Sequence, residues 1–203
     1  MGTRLLLVRH GETTWHAENR YAGSSDVALT ERGAAQAETL ARRIAGAAEP
    51  PVAIHSSPLS RAMATAEPVG SALGLPVEVE PELREAHFGL AEGRTLAELP
   101  ASVVERFRAD PIAGSFPDAE PPASVADRAV AALVGIAERA EDTGGRALVV
   151  AHNTLLRLAL CRLLGIPLST YRRVLPKLAN GAITEVGIEA GHASLYRLNA
   201  PAE

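Results

Sequence analysis

The chain has 203 residues, a formal net charge of −4 and 47% apolar residues, which is typical of a globular protein with a sizeable core. This charge excludes a basic stripe for nucleic acid and a polybasic membrane anchor. The single cysteine, Cys161, excludes an internal disulfide framework and favours a reducing compartment. Without a signal-peptide pattern or an apolar run of membrane-spanning length, we expect a cytoplasmic protein, monomeric or homodimeric, with one domain over residues 1–203.

The first element is a short apolar run over residues 5–8, which stops at Arg9, His10 and Gly11. A run this short that ends in glycine predicts a buried strand rather than a helix. Ligands of open α/β sheets bind outside the carboxyl ends of the strands. We therefore expect Arg9 and His10 at a ligand site, with Gly11 allowing the backbone to approach closely.

The pattern continues with a second strand and two helices. It predicts a helix over 29–48, a strand over 52–54, a helix over 59–73 and a short strand over 77–79. Thr30 suits the N-cap of the first helix, whereas Pro68 should kink or split the second. Arg61 falls in the first turn of that second helix, where free N–H groups and the helix dipole favour an anion.

The second half of the chain repeats the alternation. It predicts a loop with one or two turns over 81–95, a helix over 101–109, a loop over 110–122, a helix over 123–142, a strand over 147–150, a helix over 154–164 and final strands over 182–188 and 193–198. The loop over 110–122 is interpreted as either a substrate-contacting lid or a plain connector.

Alternating strands and helices predict an α/β fold of three layers, a mostly parallel sheet with helices on both faces. The apolar strands end near Arg9-His10, His55 and His152-Asn153, and such strand ends share one edge of the sheet. Arg9, His10, Arg61 and His152 can then converge on one pocket. Two arginines and two histidines suit a compact dianion, most naturally phosphate.

A histidine that faces phosphate can attack phosphorus in line and form a phosphohistidine while cations hold the other oxygens. The leaving alkoxide then needs a proton, which a nearby carboxylic acid can supply before it activates water. The loop over 81–95 offers three candidates, Glu82, Glu85 and Glu92. The residues alone do not choose among them.

Five segments occur in the order typical of one family: RHGETTW, LTERGAAQA, SSPLSRAMATA, LREAHFGLAEG and VVAHNTLLR. Over nearly its whole length the chain resembles the histidine phosphatase superfamily, the phosphoglycerate mutase-like group, and within it the bacterial phosphatases. The resemblance implies the phosphoglycerate mutase-like fold and a hydrolase of small phosphomonoesters. It implies no metal and no cofactor.

The resemblance also implies a role for each motif residue. His10 matches the nucleophile that becomes phosphorylated, and Glu85 matches the proton donor. Arg9, Arg61 and His152 match the residues that bind the phosphate.

Two positions depart from the family pattern near the phosphate. Many members carry asparagine after the tryptophan of the first motif, but here Trp15 is followed by His16. His16 either donates to the phosphate in place of that asparagine or alters the pocket. Asn153 stands where glycine is common and can offer its amide or backbone N–H to the substrate.

Other departures separate the chain from mutases. Ala22 and Gly23, which we also expect at the substrate, stand where mutases carry Thr-Gly, and Phe88 replaces a tyrosine. No adjacent pair of arginines, which mutases use for the substrate carboxylate, occurs between Glu85 and His152. The resemblance therefore favours a phosphatase over a mutase.

Three alternative functions were weighed. The first is a mutase-type phosphotransferase. The second is a metallohydrolase with His10, His152 and either Glu12 or Glu85 as ligands, although the chain has no His-x-His or HExxH motif. The third is a non-catalytic binder of phosphorylated ligands, which we would expect to lack the nucleophile or the acid.

The remaining candidate residues are interpreted as structural or exposed. They are Cys161, Trp15 and the histidines at positions 55, 87 and 192.

Overall fold

A computed structural model describes residues 2–141, 145–189 and 191–201, and its centre is a six-stranded sheet. The strands are β1 (Thr3–Arg9), β2 (Ala53–Ser56), β3 (Val77–Val79), β4 (Arg146–Ala151), β5 (Ile183–Glu189) and β6 (His192–Ala200). They lie in the order β3-β2-β4-β1-β5-β6. The first four are parallel, and β5 and β6 continue the sheet as antiparallel strands. The predicted mostly parallel sheet is confirmed.

Within these described ranges, six α-helices accompany the sheet: α1 (Glu31–Ala45), α2 (Ser60–Leu73), α3 (Ala101–Ala109), α4 (Pro122–Glu141), α5 (Asn153–Leu163) and α6 (Tyr171–Val174). Every predicted helix and strand is confirmed to within a few residues, and the end of the predicted helix at residue 142 lies outside the described residues. The short helix α6 was not predicted. In the described ranges, no helix has the length and apolar character needed to cross a membrane.

Strand β1 is buried on both faces, which explains its unbroken apolar run. Successive side chains of a strand point to opposite faces. Leu5 and Leu7 therefore join a core with α4 and α5, whereas Leu6 and Val8 join a second core with α1 and α2. The three-layer arrangement is confirmed, and it buries the strand whose end carries His10.

The turn after β1 depends on a close contact with α1. A Cβ atom on Gly11 would lie 2.5 Å from the carbonyl oxygen of Gly33, so neither backbone leaves room for a side chain there. Thr30 caps α1 as predicted, because its side chain accepts the N–H of Gly33. These contacts hold the β1 turn against the start of α1.

Pro68 lies inside α2 without splitting it, and the alternative, a kink at Pro68, stays a prediction. Proline removes the N–H that would bond the carbonyl four residues earlier. That carbonyl belongs to Ala64, which is exposed, so water can hydrate it. Arg61 stays in the first turn of a continuous helix, as predicted.

The loop over 110–122 packs against a third, smaller apolar cluster. Phe116 is buried and stacks on Phe107 with ring centroids 4.3 Å apart, and its ring lies 5.1 Å from that of Tyr21. The Leu90 N–H donates to the carbonyl of Pro117. This loop therefore contacts the cavity residue Tyr21 through Phe116.

Candidate active site

A cavity of about 480 Å³ opens at the carboxyl ends of β1 and β4. The predicted site residues that line it are Arg9, His10, His16, Ala22, Glu85 and Asn153. Arg61 and His152 are fully buried beneath this surface. We call Arg9, His10, Arg61 and His152 the phosphate floor.

His10 directly follows β1, and its ring is fixed by its own turn. Its Nδ1 lies 2.7 Å from the carbonyl oxygen of Gly11. A carbonyl can only accept, so we assign the proton to Nδ1, which leaves the lone pair on Nε2. Burial, and then the charges of Arg9 and Arg61, lower the pKa of His10 well below its ordinary value. His10 is therefore a neutral imidazole with a nucleophilic Nε2.

His152 follows β4 and lies beside His10, with ring centroids 5.1 Å apart. Its Nε2 is 2.8 Å from the Ser57 hydroxyl. Burial, and then the charge of Arg61, lower the pKa of His152 well below its ordinary value. The two strand ends thus bring two neutral imidazoles together.

Both floor arginines are held by backbone carbonyls. Arg9 Nη1 donates to Leu178 over 2.8 Å, and Arg61 donates from Nη1 to Ser25 over 2.7 Å and from Nη2 to Gly23 over 2.8 Å. Burial lowers the pKa of Arg9 to about 10, so it stays protonated at neutral pH. Carbonyls fix the two guanidinium groups without cancelling their charge.

Among the described residues, the buried side-chain nitrogens and oxygens without a hydrogen-bond partner are Arg9 Nε, Arg61 Nε and His152 Nδ1. Each such group costs about 1–3 kcal/mol, so folded proteins keep few of them. All three belong to residues predicted to bind phosphate. A bound oxyanion would supply the acceptors that these nitrogens lack.

Glu85 lines the same cavity and is almost fully buried. Its Oε1 accepts the N–H groups of Ala86 and Leu155, and its Oε2 accepts that of Thr154, each over 2.9 Å. Two of these donors are amides in the first turn of α5, which have no partner within the helix. The bonds fix the carboxyl group in place, and Oε2 accepts fewer of them than Oε1.

The other two carboxylates that the sequence left open lie elsewhere. Glu82 is exposed and pairs with Arg84 over 3.1 Å. Glu92 accepts bonds from the Gly23 N–H and from the Ser25 N–H and hydroxyl. Of the three candidates, Glu85 alone lines the cavity.

His16 lies at the edge of the floor with hydrogen-bond donors at both ring nitrogens. Its Nδ1 accepts the Thr13 N–H over 3.0 Å, while its Nε2 lies 2.6 Å from Arg9 Nη2 and 3.3 Å from Asn180 Nδ2. Burial, and then the charge of Arg9, lower the pKa of His16 to about 4. A neutral imidazole ring carries only one N–H. Because Nδ1 accepts a hydrogen bond, the N–H is on Nε2, where it faces the N–H donors of Arg9 and Asn180.

The other predicted substrate-binding residues contact other residues of the protein. The Ala22 carbonyl accepts Arg61 Nη2 over 3.1 Å, and Asn153 Oδ1 accepts the Leu178 N–H over 3.1 Å. A Cβ atom on Gly23 would lie 2.3 Å from the Ala86 carbonyl oxygen, so this glycine allows a close backbone approach. Direct contact of these three residues with substrate stays a prediction.

Several residues at the site were not foreseen from the sequence. Asn180 donates to the His10 carbonyl over 2.8 Å, and Tyr21, Arg157, Arg172 and Lys177 line the cavity. Arg157 alone carried a signal, because it lies four residues after Asn153 and therefore on the same helix face. The others come from loops and the short α6, whose positions follow no periodic pattern.

The remaining histidines do not line the cavity. His55 is buried within β2, with Nδ1 3.5 Å from a carboxylate oxygen of Glu78, whereas His87 and His192 are exposed. Cys161 is packed in the core, as predicted. Over the described part of the chain, no cluster of three histidine, cysteine or acidic side chains has the arrangement to hold a metal ion.

Residues 5–201 match the family model of the histidine phosphatase superfamily (branch 1). The chain belongs to the histidine phosphatase superfamily. It is 35% identical over 187 residues to an Erwinia tasmaniensis protein named "Probable phosphoglycerate mutase GpmB", which covers 90% of this chain and 84% of that protein. The predicted family is confirmed.

Solved structures of phosphatases share the whole fold with this histidine phosphatase. A mycobacterial glucosyl-3-phosphoglycerate phosphatase is 27% identical with a TM-score of 0.84, covering 98% of this chain and 100% of that one. A variant phosphoserine phosphatase from Entamoeba histolytica, in complex with phosphoserine, is 26% identical with a TM-score of 0.84, covering 98% of both chains. The chain is therefore an enzyme of the phosphatase type.

Proposed function

We propose that this histidine phosphatase hydrolyses small phosphomonoesters through a phosphohistidine on Nε2 of His10. The observation that carries the proposal is the bond from His10 Nδ1 to the Gly11 carbonyl, which leaves Nε2 as the free nucleophilic atom. Beside it, the three unpartnered nitrogens of the floor supply donors for the phosphate oxygens.

In the first step, the floor holds the phosphate in line with His10. Nε2 forms a bond to phosphorus as the bond to the ester oxygen breaks, while Arg9, Arg61 and His152 stabilise the equatorial oxygens. Glu85 gives its proton to the leaving oxygen, so the alcohol departs neutral. The products are phosphohistidine, the alcohol and an ionised Glu85.

In the second step, water attacks the phosphohistidine. Ionised Glu85 takes the proton of the attacking water, and the bond between phosphorus and Nε2 breaks as the new bond to oxygen forms. His10 returns to its neutral form, Glu85 is protonated again, and inorganic phosphate leaves. The acid and base roles fall to one carboxyl group because its three backbone donors hold it in one place.

His16 supports the same phosphate site. A phosphate oxygen in contact with both His16 Nε2 and Arg9 Nη2 would accept a hydrogen bond from each. The two donors, which now face each other, would then share one acceptor. His16 then donates where many relatives use asparagine. A cytoplasmic location and a monomeric or homodimeric state remain predictions from the sequence.

A panel of phosphomonoesters with free phosphate measured tests the proposal. We expect phosphate release from several esters, with no added metal or cofactor. No release from any ester would contradict hydrolysis by this site.

The second candidate function is phosphoglycerate mutase, because the Erwinia tasmaniensis relative carries that name. A mutase must keep its phosphohistidine dry and hold the intermediate by its carboxylate until it is rephosphorylated. With 3-phosphoglycerate and bisphosphoglycerate supplied, we expect phosphate release and negligible 2-phosphoglycerate in an assay coupled to enolase. Mutase turnover faster than phosphate release would overturn the phosphatase proposal but leave the role of His10 intact.

A further inference from the structure

Beyond the phosphate floor, the cavity is lined by Arg20 and by a group of three further cationic side chains, Arg157, Arg172 and Lys177. We call these three residues the outer wall. None of the ion pairs found within the described residues involves them. They therefore line the cavity without an ion-pair partner among the described residues.

Arg157 is nearly fully buried, so its charge has a fixed position. Its Nε donates to the Leu175 carbonyl, and its guanidinium carbon lies 4.6 Å from the centre of the Tyr171 ring. Its charge also acts on the floor, where it contributes to lowering the pKa of Arg9 after the larger effect of burial. The wall and the floor thus belong to one cavity.

Arg172 is held by aromatic side chains, although its residue as a whole is exposed. Its guanidinium carbon lies 4.9 Å from the centre of the Phe107 ring. Burial lowers the pKa of this guanidinium, but the Tyr21 and Tyr171 phenol groups together raise it above its ordinary value. Arg172 is therefore a positioned and permanently charged group.

Arg20 shows what a neutralised arginine looks like in the same cavity. It also lines the space, but it pairs with Glu18 over 2.8 Å and with Glu98 over 2.9 Å. Among the described residues, no carboxylate pairs with the outer wall in this way. The contrast indicates that the positive charge of the outer wall is available to a ligand.

A phosphate dianion on the floor balances Arg9 and Arg61 and leaves the outer wall uncompensated. We propose that the outer wall binds a second anionic group of the substrate, a carboxylate or a phosphate. This inference rests on the proposed hydrolysis of phosphomonoesters and names their class as esters with two anionic groups. The cavity of about 480 Å³ has the size of a small-molecule site and exceeds what one phosphate fills.

Matched substrate pairs test the subsite. Phosphoserine differs from phosphoethanolamine by a carboxylate, and propane-1,3-diol bisphosphate differs from the monophosphate by a second phosphate. The measurement is the ratio of kcat/KM within each pair. Charged hydrogen bonds of this kind predict a preference of about 10- to 100-fold for the member with two anionic groups in at least one pair. The pair with the larger ratio identifies the second group.

Variants assign the preference to the outer wall. Arg172→Gln should lower the preferred pair's ratio about tenfold, and Lys177→Gln should lower it in the same direction. Arg173→Gln removes the same charge from the next position of α6, which is exposed and does not line the cavity, so it should keep the wild-type ratio. These surface changes keep the test independent of Arg157, whose loss could disturb folding.

The outcomes separate the two proposals. If no ester is hydrolysed, the proposed function fails. If the esters are hydrolysed with ratios near one, or if Arg173→Gln lowers the ratio as much as Arg172→Gln does, the subsite is overturned while the hydrolysis stands.

Discussion

The phosphate floor and the outer wall are two cationic regions of one cavity, built in different ways. The floor residues His10 and His152 follow strands β1 and β4 directly, so the sheet edge fixes their place. The wall residues Arg172 and Lys177 come from α6 and the segment after it. The two regions therefore have different proposed roles. The floor binds the phosphate group that every substrate carries, whereas the outer wall selects among substrates by the rest of the ester.

The largest effect should come from removing the proposed nucleophile of the phosphate floor. We expect His10→Ala to abolish phosphate release from every ester without unfolding the protein, because no other imidazole nitrogen replaces Nε2. Phosphate release and circular dichroism measure the two effects.

His192→Ala is the matched control, because His192 is exposed and does not line the cavity. Substantial turnover by the His10→Ala protein would show that the floor works without its proposed nucleophile.

The next largest effect should come from Glu85, which protonates the leaving group. Glu85→Gln should slow the hydrolysis of alkyl phosphates by about 10²–10⁴-fold, the usual contribution of general acid catalysis. Aryl phosphates have better leaving groups and should lose less. Single-turnover rates on both ester classes measure the difference.

Glu82→Gln serves as the control, since Glu82 is exposed and pairs with Arg84. Equal losses on alkyl and aryl esters in Glu85→Gln would argue against Glu85 as the acid.

A smaller effect should appear in the pH dependence of stability. The pKa of His16 is about 4 in the fold, below the ordinary value of 6.5, so the unfolded chain binds more protons between these values. The contribution of neutral His16 to the free energy of unfolding is complete above pH 6.5 and is lost as the pH falls toward 4. Near pH 5 this pKa shift corresponds to a loss of roughly 2 kcal/mol in the free energy of unfolding. The partial exposure of His16 reduces the expected loss to about 1 kcal/mol.

Urea unfolding of wild type and His16→Asn, near neutral pH and near pH 5, measures this contribution. The buried His10, His55 and His152 also have lowered pKa values and destabilise both proteins in acid, so the difference between the two proteins reports on His16, including its effect on His10. An equal acid loss in both proteins would show that His16 is not a neutral, buried base.

The sequence predicted the floor well because strand ends are readable from apolar runs. The run over 5–8 and the strand over 147–150 stop at the residues that meet in the structure, and the helix start at Ser60 places Arg61. Family resemblance singled out Glu85, and only the structure shows the α5 amides that hold its carboxyl group at the cavity.

The outer wall was not predictable in the same way. Arg172 and Lys177 lie on a four-residue helix and the chain after it, too short for any periodic signal. Tyr21 reaches the cavity through contacts with Phe88 and Phe116, which are distant in sequence. His55 was predicted to be structural or exposed, and it is buried within β2.

The most direct test of the central claim is to trap the intermediate. After brief reaction with a ³²P-labelled ester and rapid denaturation, the account predicts an acid-labile, base-stable label on His10, formed and lost fast enough to match turnover. Label on another residue, or phosphate release with no phosphohistidine formed at a competent rate, would contradict it.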